Sequence, residues 1–481
     1  MPELSRGRRL LVLAICCMSL LIVSLDNTIV NVALPEIQRD LDAPIAGLQW
    51  TIDAYTLVLA GLLMLCGSIG DRFGRRRTFQ TGLILFSIGS LLCSLAPNLG
   101  WLVAFRMLQA VGGSMMNPVA MSIIANVFVD PRERARAIGV WGGVVGISLA
   151  LGPVVGGVLV TSVGWRSIFW INVPVGVAAV LLTALFVPES RAPRPRRADP
   201  VGQVLVIVLL ASLTYGIIEG PGAGWFSARI LACFCAAAVA LVALVRFESR
   251  RAEPLLDPRF FRSVPFSGAT MIAVSGFSAF GGFLLLSTLY LQTVRGYSPL
   301  HAGLFLLPVA VTALVCSPLS GRMVASGRTR VPLVLGGIAI IISAVMMTGF
   351  TTQTPADRLI AAYLVFGLGT ALINAPITNS AVAGMPRTQA GVAAAIASTS
   401  RQVGVALGVA VAGSVLASGI HDSLRADFVE ASRLGWWIIA GYGVAVLALG
   451  FITTGRWARR TAERAAAALA LDEPPVVVDA R

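Results

Sequence analysis

A chain of 481 residues that is 56% hydrophobic and only 12% charged, with a mean hydropathy of +0.83, lies outside the range of soluble globular domains, in which about a quarter of residues are charged. A formal charge of +14 and a pI near 10.6 would suit nucleic-acid binding in a soluble protein, so the placement of the charge decides its meaning. All 37 basic residues are Arg, a compositional bias that carries no functional weight.

Apolar runs of roughly 20 residues, the length that crosses a hydrocarbon core of ~30 Å, recur along the chain. They mark fourteen candidate spans, centred near residues 22, 60, 87, 111, 149, 178, 210, 238, 278, 312, 341, 370, 405 and 445. The first run, near residues 10–34, contains Asp26, Asn27 and Asn31 and lacks a small-residue cleavage site, so it is expected to be a retained helix and not a secretory leader. An even number of spans puts both termini on one side. Arg clusters follow at the amino terminus, at Arg72 to Arg77, at Arg132 to Arg136, at Arg191 to Arg197, at Arg246 to Arg262, at Arg322 to Arg330, at Arg387 and in the tail, including Arg481. The positive-inside rule places these and both termini in the cytoplasm, and predicts a multi-pass protein of the plasma (inner) membrane. The basic pI is then topology, and no nucleic-acid partner is expected. All seven cysteines fall in apolar runs and predict neither disulfides nor a metal site.

In the first span, Leu25-Asp26-Asn27-Thr28-Ile29-Val30-Asn31 sets a carboxylate in the extracellular half. A charge is costly at that depth, which suits Asp26 to taking a proton from the outer side. Asn27 and Asn31, one turn apart, fit either a cavity wall or helix packing. Asp53, near the outer end of the second span, is either a solvated terminus or a second acid for protons or cations.

The next connection reads Gly67-Ser68-Ile69-Gly70-Asp71-Arg72-Phe73-Gly74-Arg75-Arg76-Arg77. The Arg residues alone would serve as an anchor, but the glycines allow a tight turn, and Asp71 can pair with an Arg or a helix amino terminus to form a latch. Arg106 lies inside the fourth span, where an Arg costs at least ~2.5 to 3.5 kcal/mol unless it faces protein or water. At helical spacing it shares a face with Gln109, Gly113 and Asn117. It is either a tie between helices or a charge that tunes a nearby carboxylate. The fifth span carries Gly146, Gly152-Pro153 and Gly156-Gly157, small residues for close packing and a proline that bends the helix.

Gly113 to Pro118 is echoed by Gly369 to Pro376, with Asn117 and Asn374 257 residues apart, and a Pro-Arg turn follows each, at Pro131-Arg132 and Pro386-Arg387. The offset equates the fourth span with the twelfth, so two six-span halves flank two extra spans. Glu219 ends the first extra span in a tight outer turn, where a structural role is expected. Arg401 and Gln402 in the thirteenth span face no obvious acid; a cavity position and a helix tie fit equally.

The Gly67 to Arg77 loop resembles the G-x-x-x-D-R-x-G-R-R-R loop of the major facilitator superfamily, and Gly321 to Arg328 is a weaker echo without the acid. Arg106 to Gly112 resembles the family's R-x-x-Q-G-x-G motif, with Ala110 replacing the first Gly. The order from Gly146 to Gly157 resembles the antiporter motif of that superfamily. Leu25 to Pro35 resembles the L-D-x-T-x-x-N-x-A-L-P segment of fourteen-span EmrB/QacA-type drug:proton antiporters. The resemblance covers roughly residues 10–455.

It implies an all-α integral membrane protein: an amino-terminal six-helix bundle (1–190), a linker with two extra helices (191–262), a carboxy-terminal six-helix bundle (263–458) and a flexible cytoplasmic tail (459–481). The implied function is proton-coupled efflux of small amphipathic molecules such as drugs or antibiotics by alternating access, with no cofactor beyond the proton gradient. Alternatives are an exporter of one self-made metabolite, or a proton symporter for a nutrient. The resemblance assigns proton coupling to Asp26 and Arg106, to which Asp53 is added from its place in the second span alone, a cytoplasmic gate to Gly67, Asp71, Arg72, Gly74 and Arg75, and a hinge to Gly146, Gly152, Pro153, Gly156 and Gly157. Asn27, Asn31, Gln109, Asn117, Asn374, Arg401 and Gln402 are the cavity candidates. A monomer in the bilayer is expected, with the small molecule and protons as its partners. An enzyme is not expected, since His301 and His421 are the only histidines and no metal or nucleophile spacing appears.

Overall fold

A computed structural model describes residues 5–191, 199–251, 254–383, 385 and 390–470. The Pro386-Arg387 turn, Arg194, Arg196, Arg197 and the tail from residue 471, with Arg481, lie outside the described residues.

Within them the chain is helical, with no strand. The helices of the first half are α1 (Arg6–Leu41), α2 (Ile45–Phe73), α3 (Arg75–Ser94), α4 (Leu99–Val127), α5 (Pro131–Ser162), α6 (Ser167–Trp170) and α7 (Asn172–Phe186). Next come α8 (Pro200–Ala223) and α9 (Ala228–Glu248). The second half comprises α10 (Val264–Leu289), α11 (Pro299–Ala325), α12 (Arg330–Thr348), α13 (Ala356–Val382), α14 (Ala390–Ser418) and α15 (Leu424–Thr453), and α16 (Arg456–Ala470) closes the series. Residues 459–470 are therefore not the flexible tail expected: α16 packs on α10, buries Ala462, Ala465 and Leu469, and its Thr461 hydroxyl accepts from the Val264 amide (3.0 Å). A π-helical turn, Tyr290–Val294, extends α10.

Polar caps set several helix starts where the apolar runs begin. Asn98 accepts from the Trp101 amide (3.1 Å), Asp130 from Arg132 and Glu133, and Asp199 from Gly202, each satisfying amides that a helix start leaves open. Between α2 and α3, Gly74 sits at φ +114°, a left-handed conformation that glycine adopts without strain.

Thirteen helical spans among the described residues are long and apolar enough to cross a membrane, with α6 and α7 acting as one. The expected span near residue 87 corresponds to α3, which falls short of that mark. Its first turns carry Arg75, Arg76, Arg77, Gln80 and Thr81, and these dilute its apolar content. It nevertheless packs lengthwise on α4 and α7. The chain is thus an all-α, multi-pass membrane protein.

Helices α1 to α7 pack mainly on one another, and α10 to α15 do likewise. The halves meet where α5 packs on α11 and where α2 packs on α14. Under the 257-residue offset these are the same contact made twice, once from each half. The hairpin of α8 and α9 lies over the α2 and α14 side of this seam: Gln203 donates to the Gly61 carbonyl, the Trp50 indole to Glu219 (2.8 Å), and Ser414 to the Ile217 carbonyl (2.5 Å).

Candidate functional site

A central cavity of about 1140 Å³ runs between the halves. Its wall includes Asn27, Asn31, Asn117, Asn374, Arg401 and Gln402 among apolar side chains such as Phe277, Phe280 and Leu284. At the Arg-rich end it reaches Asp71, Asp199 and Leu255. At the other end the halves are clamped together. Gln49 on α2 donates to the Val409 and Ala410 carbonyls of α14 (3.2 and 2.7 Å), and Gln292 donates to the Val32 carbonyl of α1 (2.8 Å).

The glycines of α5 allow this clamp. A Cβ at Gly152 would collide with Thr28, and one at Gly156 would lie 2.7 Å from Ile29, both on α1. A Cβ at Gly157 would come within 2.6 Å of the Leu300 Cα on α11, and one at Gly303 on α11 would strike the Pro153 carbonyl. Small residues therefore permit backbone contact on both sides of α5. Gly146 lies further toward the Arg-rich end, in the cavity wall.

Asp26 and Arg106 form an ion pair, with their side chains 0% and 1% exposed. The Arg106 Nη1 also donates to the Gln109 Oε1 (2.7 Å) and its Nε to the Thr51 carbonyl (3.1 Å), while the Tyr55 ring lies 4.1 Å from the guanidinium. The other Asp26 oxygen accepts from Gln109 (2.9 Å) and Asn172 (3.3 Å), and Ser90 accepts from both amides (2.7 and 3.1 Å). Breaking one partner from such a buried pair costs ~3 to 5 kcal/mol, because the survivor is left uncompensated.

Asp53 is also wholly buried, and neither carboxyl oxygen has a hydrogen-bond partner among the described residues. Neither it nor Asp26 reaches the cavity wall. Asp53 is thus not a solvated helix end.

Gln109 departs from expectation. It shares a face with Asn117, but it is fully buried and spends its amide on Asp26 and Ser90 rather than on the cavity. The α4 stripe divides along its length, with Arg106 and Gln109 turned into the amino-terminal bundle and Asn117 into the cavity. Asn172 and Ser90 escaped sequence reasoning. The signal for Asn172 was an amide at the start of an apolar run, placed by the break between α6 and α7. Ser90 gave none, since serine is common in such helices.

At the Arg-rich end Asp71 accepts two hydrogen bonds from Arg75, across Gly74 (3.0 and 2.8 Å). Arg72 is exposed, forms no ion pair among the described residues, and lies against Phe73. Gly67 lines the cavity. Glu189, not singled out from sequence, fills the space beside Gly74 and accepts from the Arg76 amide (3.1 Å), capping the start of α3. On the same side Arg9 pairs with Glu133 (2.5 Å).

The family model described as the Major Facilitator Superfamily matches residues 16–409. The chain is 37% identical over 423 residues to "Multidrug resistance protein Stp" of Mycobacterium tuberculosis, covering 88% of this chain and 79% of that protein. It is 37% identical to "Tetracenomycin C resistance and export protein" of Streptomyces glaucescens, with 89% and 79% covered. It is 34% identical to "Methylenomycin A resistance protein" of Streptomyces coelicolor, with 82% and 83% covered. Its fold is similar to that of a bacterial homologue of the human lysosomal transporter Spinster in an inward-facing, unoccupied conformation (TM-score 0.61, 18% identity, 98% and 100% covered). It is likewise similar to a bacterial homologue of the human drug peptide transporters (TM-score 0.64, 16% identity, 95% and 99% covered). The motifs, the duplicated bundles and these likenesses converge: the chain is a transporter, not an enzyme, and belongs to the Major Facilitator Superfamily.

Proposed function

We propose that the protein exports small amphipathic molecules across the plasma membrane in exchange for protons, as a member of the fourteen-span EmrB/QacA-type branch. The observation that carries this reading is the pair of buried acids in one half, Asp26 held by Arg106 and Asp53 without a partner, beside a largely apolar cavity. The names of the curated relatives, which concern multidrug resistance and antibiotic resistance or export, supply the direction and the cargo class.

In this mechanism Asp26 takes a proton from the outer side when the clamp opens. Protonation removes the charge that Arg106 faces, and the helices that share this cluster, α1, α2, α3, α4 and α7, repack. Asp53, two residues along α2 from the Thr51 carbonyl bound by Arg106, is the second proton site. The α5 seam is the pivot, and Asp71 with Arg75 closes the cytoplasmic side in the opposite state. Entry of one proton down the membrane potential supplies ~2.3 kcal/mol per 100 mV, more than a tenfold concentration of cargo requires. Residues 1–190 and 263–458 act as the moving bundles, with 191–262 as the bridge and 459–481 as a cytoplasmic tail; both termini are cytoplasmic and the monomer is the working unit.

The test uses inside-out vesicles with an acid interior, to which cationic, neutral and anionic drugs are added while the pH gradient is followed. Drug-triggered loss of the gradient is expected for the parent and not for Asp26→Asn, with Asp53→Asn flattening the dependence of transport on pH. An equal response in parent and Asp26→Asn removes Asp26 as the coupling site.

A second reading, export of one self-made antibiotic, is favoured by the tetracenomycin C and methylenomycin A relatives. Response to a single compound in that panel would select it.

A further inference from the structure

Among the described residues three formally charged side chains line the cavity, and two of them are paired at its Arg-rich end, Asp71 with Arg75 and Asp199 with Arg251 (3.0 Å). The third is Arg401, on α14. One of its terminal nitrogens donates to the Thr378 hydroxyl on α13, and the guanidinium lies 5.8 Å from the Phe277 ring centroid. Its Nε is buried with no hydrogen-bond partner, and no acid pairs with it among the described residues. The two buried acids of the amino-terminal half, Asp26 and Asp53, are both withdrawn from the wall. Along α13, Thr370, Asn374 and Thr378 repeat every four residues in the same wall, and Gln402 adjoins Arg401. The membrane-embedded cavity thus has a cation and neutral hydrogen-bonding groups set among aromatic and aliphatic side chains.

We propose that Arg401 anchors an acidic group of the cargo, so that the preferred substrates are apolar molecules bearing a carboxylate, phenolate or enolate. A guanidinium stays protonated, presents a planar fork of donors that matches a carboxylate, and gains strength where water is scarce. Phe277, Phe280 and Leu284 then cover the apolar body. An amine in the same place would face an uncompensated like charge. The proposal rests on the export reading for the direction of movement, but the binding preference stands apart from it.

The experiment measures binding to the full chain in lipid nanodiscs by fluorescence polarisation, using three dansyl-alkyl probes identical but for a terminal carboxylate, methyl ester or amine. The carboxylate is expected to bind about 10- to 100-fold more tightly than the ester, the range of a charge-assisted hydrogen bond, with the amine weakest. Arg401→Gln should erase that advantage and leave ester binding within about twofold, whereas Arg401→Lys keeps the ranking. An amine that binds the parent as tightly as the carboxylate overturns the proposal, as does an equal loss for all three probes in a folded Arg401→Gln. If Arg401→Gln does not fold, the parent ranking and Arg401→Lys decide. Carboxylate-selective binding without uptake of any probe into inside-out vesicles would sink the export reading alone; uptake with amine-selective binding would sink only this proposal.

Discussion

At the repeat offset of 257 residues, Arg106 and Gln109 of α4 correspond to Tyr363 and Phe366 of α13. The two halves fill equivalent places with opposite chemistry. In the amino-terminal bundle a buried ion pair is wrapped by amides and a serine. In the carboxy-terminal bundle Phe283 stacks on Phe366 (centroids 3.9 Å, planes 8° apart) and meets Tyr363 and Trp436 edge-on (5.2 and 6.3 Å). An aromatic cluster holds one charge state on either side of the membrane, whereas a carboxylate has two. Under the proposed mechanism the first bundle carries the groups that would answer to protons, whereas the second has an aromatic core at the equivalent place and supplies Arg401, which no acid pairs among the described residues.

The strongest challenge to this comparison is to make the first half resemble the second. Arg106→Met alone should destabilise the protein by ~3 to 5 kcal/mol through the stranded Asp26, read as a fall in melting temperature in detergent. Adding Asp26→Leu should recover most of that loss and still abolish drug-driven proton movement. A coupled double variant would show that the difference between the halves has no functional content.

Phe283→Ala is the converse. Removing a buried ring costs ~3 kcal/mol or more, so the melting temperature should drop, but the ratio of protons to cargo in vesicles should be unchanged. A changed ratio would move the response to protons into the second half.

Gly157→Val probes the seam that both halves share. With Leu300 only 2.6 Å from a Cβ there, overpacking should cost the clamped state ~1 to 3 kcal/mol. A cysteine at Asn31, in a cysteine-free background, should then react faster with an impermeant thiol reagent added outside. Unaltered labelling would exclude the seam as the pivot. The smallest effect belongs to Asp71→Asn: the pair with Arg75 is partly exposed, so stability should change by less than ~1 kcal/mol and transport by about two- to threefold. A complete loss would give the loop a coupling role of its own.

Sequence reasoning reached the membrane class and marked Asp26 and Arg106 as charges set inside spans, because each depends on short-range pattern. Apolar runs about 20 residues long declare spans, and a charge inside a span declares a cost that needs a partner. Partner identity was another matter. Asp26 and Arg106 are 80 residues apart, and Asn172 joins them only because α6 and α7 break beside the cluster. Glu189 caps α3 from a distance of 113 residues.

By itself the sequence determined that this chain is a bundle of membrane helices in two related halves, with acids and Arg at unusual depth, since helix formation and membrane insertion follow local composition. Only the tertiary structure decided which way each polar side chain turns. A protein core and a water-lined cavity both shield polar groups from lipid, so composition cannot separate Gln109, buried against Asp26, from Asn117 in the cavity wall. Packing against neighbouring helices makes that choice, and it withdraws both acids while leaving Arg401 to face what the cavity holds.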